Sequence, residues 1–522
     1  MNLEAGRNHT VQDVYLTSAF YRYLALIAAL LAWTFDGVEQ GVYTIMTRPA
    51  LKDIMPEIKA LDRQQTELNA QLDAMIAAKG ATMQDLEKLR LHDSFASMLP
   101  AGEKEEWEES QASLNAKWDS LGNASGAAPG DLQQLKTLSN AVFKKLIDGP
   151  VGWFYSLAVA MWLWGAACGG VIFGRMGDCY GRVRSLIFAV IVYSGFTGLS
   201  ALSFHWSHLA ICRFLGAIGL GGAWPLSVAL IVETWPDRHR SVLAGLMGAG
   251  ANVGFFIASK YSGWMSNYSW RWIIGMGCVI GISSLLIIAF VPEPGKWRAS
   301  REKRQHSSLG DLFHPRYIRS TIVGSLLSTV ALLGTWGSYL WMSTYVDQIA
   351  QGTPYQLTAK STIALYQSYG QIIGGFMGGV LAGWMGNKRS WIMLCLMAWA
   401  SVFTLFGWND TFGPQALWMG AFAGLFVTAF FGWLPKYLPE LFPTRIRATG
   451  QGFSFNIGRV IAGFGVLGTG ALVEAYGGDY RKGVMTICSV YLVGLLIIFF
   501  APNTGGKMVS DEEDEKAMMN AE

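Results

Sequence analysis

Apolar residues in this chain gather into twelve long runs, at about 22–46, 151–173, 185–204, 208–232, 241–264, 271–292, 319–345, 359–383, 390–408, 414–436, 448–473 and 483–501. A helix needs roughly 20 apolar residues to cross the ~30 Å hydrocarbon layer of a bilayer. A helix also satisfies its own backbone hydrogen bonds where lipid offers no partners. The pattern predicts an all-α membrane protein with twelve transmembrane helices, arranged as two six-helix halves.

Composition agrees, because 52% of residues are apolar and only 15% are charged, which is charge-poor for a long soluble chain. Orientation comes from where the charge lies, since Arg and Lys resist translocation. The connection at 293–319 carries Lys296, Arg298, Arg301, Lys303, Arg304, Arg316 and Arg319, and the loops near 175–184, 233–240, 384–389 and 438–447 are also basic. These loops and both termini are expected on the cytoplasmic side of an inner or plasma membrane. Polar residues 1–20 ahead of a full-length apolar run predict that no signal peptide is cleaved. The six cysteines show neither a disulfide framework nor metal-like spacing, and His205 and His208 lack a third ligand, so neither metal nor cofactor is expected. Nucleic acid is not an expected partner.

Residues 47–150 interrupt the apolar pattern. Ile58, Leu61, Leu68, Leu72 and Met75 follow three-four spacing, as do Leu132, Leu135, Leu138 and Val142, which predicts amphipathic helices packed on each other. A Gly-, Ala- and Ser-rich stretch at 121–130 separates them. The segment holds 12 Lys and Arg against 16 Asp and Glu and falls on the side opposite the basic loops, as a helical extracytoplasmic insertion between the first two spans. It reads either as a docking or substrate-capturing domain or as a spacer cap or oligomer contact. The full organisation is then 1–46, cytoplasmic N-terminus and first span; 47–150, insertion; 151–292, remainder of the first half; 293–318, linker; 319–502, second half; and 503–522, tail.

One cassette, Glu-x-x-Pro-x-Arg-x-Arg, occurs twice in the same register, at Glu233, Pro236, Arg238 and Arg240 and again at Glu440, Pro443, Arg445 and Arg447, with Gly245 and Gly452 extending the match. Each copy closes one apolar run and opens the next, so two homologous halves are expected. A second motif, Gly174-Arg-Met-Gly177-Asp178-Cys-Tyr-Gly181-Arg182, lies between the second and third runs. Its glycines allow a tight turn, and Asp178 is placed to face both Arg182 and the N-terminus of a helix in the other half. This loop resembles the signature loop of the major facilitator superfamily. The stretch from Arg213 to Arg240, with Gly219, Gly221 and Gly222, looks most like its sugar and organic-metabolite proton symporters, in particular the bacterial sialic-acid and aromatic-acid carriers. The resemblance implies a cytoplasmic gate of Gly174, Gly177, Asp178, Gly181, Arg182, Glu233, Arg238, Arg240, Glu440, Arg445 and Arg447. In the second half the loop is degenerate, Gly383-Trp-Met-Gly386-Asn387, with Asn387 standing for the acid, and its latch is expected to be weaker.

Charges inside spans are costly, at least ~2.5 kcal/mol each on insertion scales, and therefore line cavities and find partners. Asp36 and Glu39 share one helical face, and Arg213 falls at a similar depth. The expected arrangement pairs Asp36, sharing a proton with Glu39, with Arg213 as counter-ion, matching the first-span acid and fourth-span arginine of the resembling symporters; a permanent ion pair that only orients helices is the alternative. Arg459, following Asn456, is either a clamp for a substrate carboxylate or part of the cytoplasmic gate. Trp162, Trp336, Tyr339, Gln367 and Gln371 complete the candidate pocket, the two glutamines being four apart on one face. The glycine runs at 216–222 and 245–254 lie inside apolar spans and read as helix packing rather than a nucleotide loop.

These readings lead to a secondary active transporter, not an enzyme, that imports a small polar or anionic metabolite with protons by alternating access. A uniporter or exporter, or a transporter-like sensor using 47–150, are the competing readings.

Overall fold

The computed structural model describes residues 18–78, 104–122, 128–265, 267–302, 308–350, 355, 359–476 and 479–509. Residues 1–17, much of the Gly-, Ala- and Ser-rich stretch and the tail beyond 509 lie outside the described residues. Among the described residues every regular element is helical.

In chain order the described α-helices of eight residues or more are α1 (Ala19–Ile54), α2 (Pro56–Ala77), α3 (Lys104–Gly122), α4 (Pro129–Tyr180), α5 (Arg182–Ser200), α6 (Trp206–Thr234), α7 (Arg240–Trp264), α8 (Trp270–Ser283), α9 (Gly295–Glu302), α10 (Pro315–Gly337), α11 (Met342–Ile349), α12 (Ala359–Met385), α13 (Asn387–Trp408), α14 (Pro414–Tyr437), α15 (Arg447–Ala475), α16 (Tyr480–Cys488) and α17 (Val490–Ile497). Among the described residues ten helical segments are long and apolar enough to cross a membrane. α12 and α15, of 27 and 29 residues, are comparably long.

The chain divides into two compact units. One comprises residues up to Thr44, Val159–Leu202 and Ala210 onward; the other comprises Ile45–Ala158 with Ser203–Leu209. The second unit is built by the amphipathic segments. Ile58, Leu61, Leu68 and Leu72 are buried on α2, and Leu132, Leu135 and Val142 on α4. Asn140 Oδ1 accepts from both Gln65 and Asn69 at 2.9 Å, and Lys136 reaches Asp73 at 2.5 Å, which sets these two helices side by side. Lys117 on α3 meets Asp131 at 2.8 Å and holds that carboxyl below its usual range.

In the first unit, close backbone approach organises the bundle. A Cβ at Gly165 or Gly169 would strike the carbonyls of Phe214 and Ile218, while one at Gly370 or Gly374 would strike those of Ala421 and Leu425. The two sets of partners are both 207 apart in sequence, so α4 against α6 and α12 against α14 are the same packing built twice. Only glycine permits such contact, and without a hydrophobic drive in lipid this packing is what associates helices. Buried hydroxyls inside α10 return to their own helix, with Ser328 donating to Gly324 O and Thr335 to Ala331 O at 2.8 and 2.7 Å, so neither is left unpaired in the core.

Candidate functional site

Two charged clusters are built on this frame. At the cassette end of the bundle, the first-half loop closes α4 and starts α5 through Gly181, whose φ of +123° is open to glycine but strained for other residues. That turn puts Asp178 and Arg182 in direct contact, with both side chains fully buried. Asp178 also reaches the other half. Its carboxylate accepts from the backbone N–H groups of Ala448 and Thr449 at 3.2 and 2.7 Å and from the Thr449 hydroxyl at 2.6 Å. These N–H groups belong to the first turn of α15, where helix geometry leaves them without intrahelical partners and the dipole favours an anion. Arg182 in turn holds Glu233 through Nη2 at 2.9 Å and donates to Thr444 O at 2.9 Å.

The two cassettes pair crosswise. Arg447 approaches Glu233 at 3.5 Å and Arg240 approaches Glu440 at 3.4 Å, so each half's glutamate meets the other half's arginine. Glu440 is further bonded by Lys436 at 3.3 Å, Asn387 at 2.7 Å and Thr504 at 2.5 Å. The segment after α17 threads through this cluster, with Arg240 donating to Gly506 O at 2.9 Å and Arg447 to Val509 O at 3.3 Å.

Two arginines assigned to this cluster from sequence fall outside it. Arg238 is exposed and, among the described residues, donates only to the neighbouring His239 ring, at 2.9 Å. Arg445 turns to the linker, meeting Asp311 at 3.2 Å and Tyr317 at 3.2 Å. The register of the second loop also changes. Gly386, with φ of +80°, precedes α13 as Gly181 precedes α5, so Gly383 occupies the place of Asp178 and Asn387 that of Arg182. The contacts agree: a Cβ at Gly383 would meet Ser241, the counterpart of Ala448. Matching glycine to glycine along the string misaligns the loops, because the backbone turn, not the glycine spacing, sets their equivalence.

Sequence reasoning missed Glu293. Its buried carboxylate accepts from Val183 N and Arg184 N at 3.1 and 3.0 Å, capping α5, and burial pushes its pKa up against these hydrogen bonds. Trp297 on α9 donates to Asp178 O at 2.9 Å, so the linker is fastened beneath the same loop. The acid flanked by Pro292 and Pro294 in an otherwise basic connection is the signal that could have found it.

The second cluster lies among α1, α4, α6 and α15. Asp36 and Glu39 are 0% and 3% exposed, inside the bundle rather than on its lipid face. Their partners differ from the expected ones. Arg213 pairs with Glu39, not Asp36, at 3.3 Å, and Thr197 donates to the same Glu39 oxygen at 2.9 Å. Asp36 takes one bond, from Gln40 at 2.8 Å, one turn along its own helix. The three-residue spacing gives the two acids one face but puts them ~4.5 Å apart along the axis, and the partners sort by level. Arg213 also lies over the Tyr43 ring, 3.9 Å from its centroid, with the Tyr43 hydroxyl bonded to Ser200.

Arg459 belongs here rather than at the cassette end. It donates to Asn456 Oδ1 at 2.8 Å, and the acid whose charge bears on it is Asp36. Trp162 stands between the two arginines, each guanidinium 5.5 Å from its ring, and Trp336 packs on Trp162 at 5.1 Å. Four buried polar atoms in this cluster have no hydrogen-bond partner among the described residues: Asp36 Oδ2, Glu39 Oε2, Arg459 Nε and Trp162 Nε1. Tyr339, Gln367 and Gln371 gather in the second half, with the Tyr339 hydroxyl facing both glutamines and donating to Gly420 O at 3.3 Å. Asn456 ties back to Gly452 O at 2.8 Å.

Comparison with known proteins gives a consistent picture. A putative metabolite transport protein of Haemophilus influenzae is 28% identical over 355 residues, 66% of this chain and 85% of that protein. The sialic acid transporter of Escherichia coli K12 is 28% identical over 347 residues, covering 65% of this chain and 82% of its own. A solved proton:xylose symporter bound to 6-bromo-6-deoxy-D-glucose shares the fold, with a TM-score of 0.62 at 16% identity over 96% of this chain and 99% of that one. The pattern described as Major Facilitator Superfamily matches residues 148–466. The chain is an integral membrane transporter, not an enzyme, and belongs to the major facilitator superfamily.

Proposed function

We propose that this protein imports a small organic anion, a sugar acid or another carboxylate, together with protons, by alternating access across twelve spans. The basic loops support a cytoplasmic cassette end and cytoplasmic termini, by the positive-inside rule, and with them an extracytoplasmic 47–150. The observation that carries the proposal is the unequal partnering of two acids and two arginines around Trp162.

Glu39 is committed to Arg213 and Thr197, and Arg213 keeps its place through Tyr43 and Trp162 whatever Glu39 carries. Among the described residues Asp36 has one oxygen with no hydrogen-bond partner, its charge bears on Arg459, and the Nε of Arg459 also has no partner. Ionised, Asp36 balances Arg459. Protonated, it releases a planar, bidentate donor for a substrate carboxylate. Proton and anion then enter as a neutral pair, which avoids the cost of a net charge in the bundle. Trp336 and the Tyr339, Gln367 and Gln371 group supply apolar and polar walls. The sialic acid transporter among the relatives carries an acid, which supports the anionic reading.

At the cytoplasmic gate, Asp178 to α15 and the crossed pairs Arg447–Glu233 and Arg240–Glu440 hold that end shut and must break for release inward. Uptake of a panel of labelled sugars, sugar acids and aromatic acids, with and without a proton gradient, tests the reading. Asp36→Asn abolishes accumulation against a gradient while exchange persists; full accumulation by that variant overturns it.

A further inference from the structure

From the contacts around Glu440 we infer that Lys436 is the positioning cation of the second half of the gate, replacing the arginine that the duplicated architecture lost at Asn387. The inference rests on the gate reading above.

The halves provide an internal control. In the first half Glu233 is bonded by Arg182 from its own loop and by Arg447 from across the interface. The counterpart of Arg182, the first helical residue after the positive-φ glycine, is Asn387. Asn387 still reaches its glutamate, at 2.7 Å, as Arg182 does, but brings no charge. Arg240, the cross-half partner of Glu440, shares its guanidinium with Asp237 at 2.6 Å. Glu440 is 0% exposed, so the missing cation has to come from elsewhere.

Lys436 supplies it. Nζ lies 3.3 Å from Glu440 Oε1 and 2.6 Å from Asn387 Oδ1, and the residue is 6% exposed. Asn387 thus bridges the two charges, accepting from the lysine and donating to the glutamate. The position equivalent to Lys436 in the first half, by the 207-residue offset of the cassettes, is Ala229, fully buried and apolar. An arginine at 387 and a lysine at 436 are therefore alternatives: one cation is needed and two would overcharge a buried site. Lysine also differs in kind. It is a point charge on a flexible stem rather than a rigid fork, and it sits within the second half alone, whereas Arg182 also ties Thr444 O across the interface.

The test is the distance between the two halves at the cassette end, read by double electron–electron resonance without any substrate. Nitroxides are attached through p-acetylphenylalanine in place of Arg184 and Arg389, both exposed, in the full chain reconstituted in nanodiscs. The short-distance population dominates in the parent protein. Lys436→Ala raises the long-distance population at least threefold, Lys436→Arg stays near the parent, and Asn387→Arg in the Lys436→Ala background returns the distribution to the parent. An unchanged distribution in Lys436→Ala, or a double variant no closer to the parent than the single, overturns the role of Lys436. If Lys436→Ala does not fold, the yield of monodisperse protein is read in place of distance: its recovery on adding Asn387→Arg supports the role of Lys436, and no recovery overturns it. Arg447→Gln separates the levels: if it too leaves the distances unchanged, the gate reading itself fails.

Discussion

The cassette-end cluster and the cluster around Trp162 are both buried and both built from acids and arginines, yet they are bonded in opposite ways. At the cassette end the carboxylates are engaged by several donors each: Asp178 by Arg182, Ala448, Thr449 and its hydroxyl, and Glu440 by Lys436, Asn387, Thr504 and Arg240. Around Trp162, Asp36, Glu39 and Arg459 each keep an atom with no partner among the described residues. A saturated network is rigid and costly to break; an unsaturated one carries desolvation without full return and is kept for what it binds. The first is suited to holding a conformation, the second to receiving a ligand and a proton.

The comparison breaks first at Arg182. Removing it leaves Glu233 buried with Arg447 alone, and the loss of one partner of a buried pair costs about 3–5 kcal/mol. Arg182→Met should show the largest fall in thermal stability of any single gate variant, measured by differential scanning fluorimetry. Arg459→Met should abolish carboxylate uptake at a smaller cost in stability, because Asp36, with an oxygen that has no hydrogen-bond partner among the described residues, can take up a proton once its counter-charge is gone, whereas Glu233 stays held in its charged form by Arg447.

A smaller effect comes from the vacated latch position. Gly383→Asp with Ser241→Gly, which clears the side chain that a Cβ at 383 would meet, adds a second carboxylate facing the start of α7. A stabilising charge at a helix N-terminus gives about 0.3–1 kcal/mol, so turnover should slow several-fold with the gate held longer; faster turnover would contradict the latch. Glu293 gives a pH signature. Its pKa is raised in the fold, so its contribution to stability is present below the usual carboxylate pKa and is lost as pH rises through the raised value. Glu293→Gln should flatten that part of the stability–pH curve. Arg238→Ala, at an exposed residue bonded to its neighbour, should change stability by no more than about 0.5 kcal/mol.

The apolar runs and the repeated cassette make the helical fold legible, since hydrophobic length and duplication are properties of the string itself. Partner choice within the clusters is less legible. Spacing puts Asp36 and Glu39 on one face, but which of them meets Arg213 depends on the relative height of two helices, which spacing does not encode. Asn387 falls at the acid position when Gly177 is matched to Gly386, whereas the backbone matches Gly181 to Gly386 through their shared positive φ. Arg445 and Arg238 carry the same motif letters as Arg447 and Arg240 but lie two residues earlier, on the short turns before α15 and α7, and so face the linker and solvent.

That the two clusters serve different ends is tested most directly by melting Arg182→Met and Arg459→Met side by side, without substrate, in the same detergent. The account predicts that the first melts several degrees below the parent and the second closer to the parent than the first; the opposite order would contradict it.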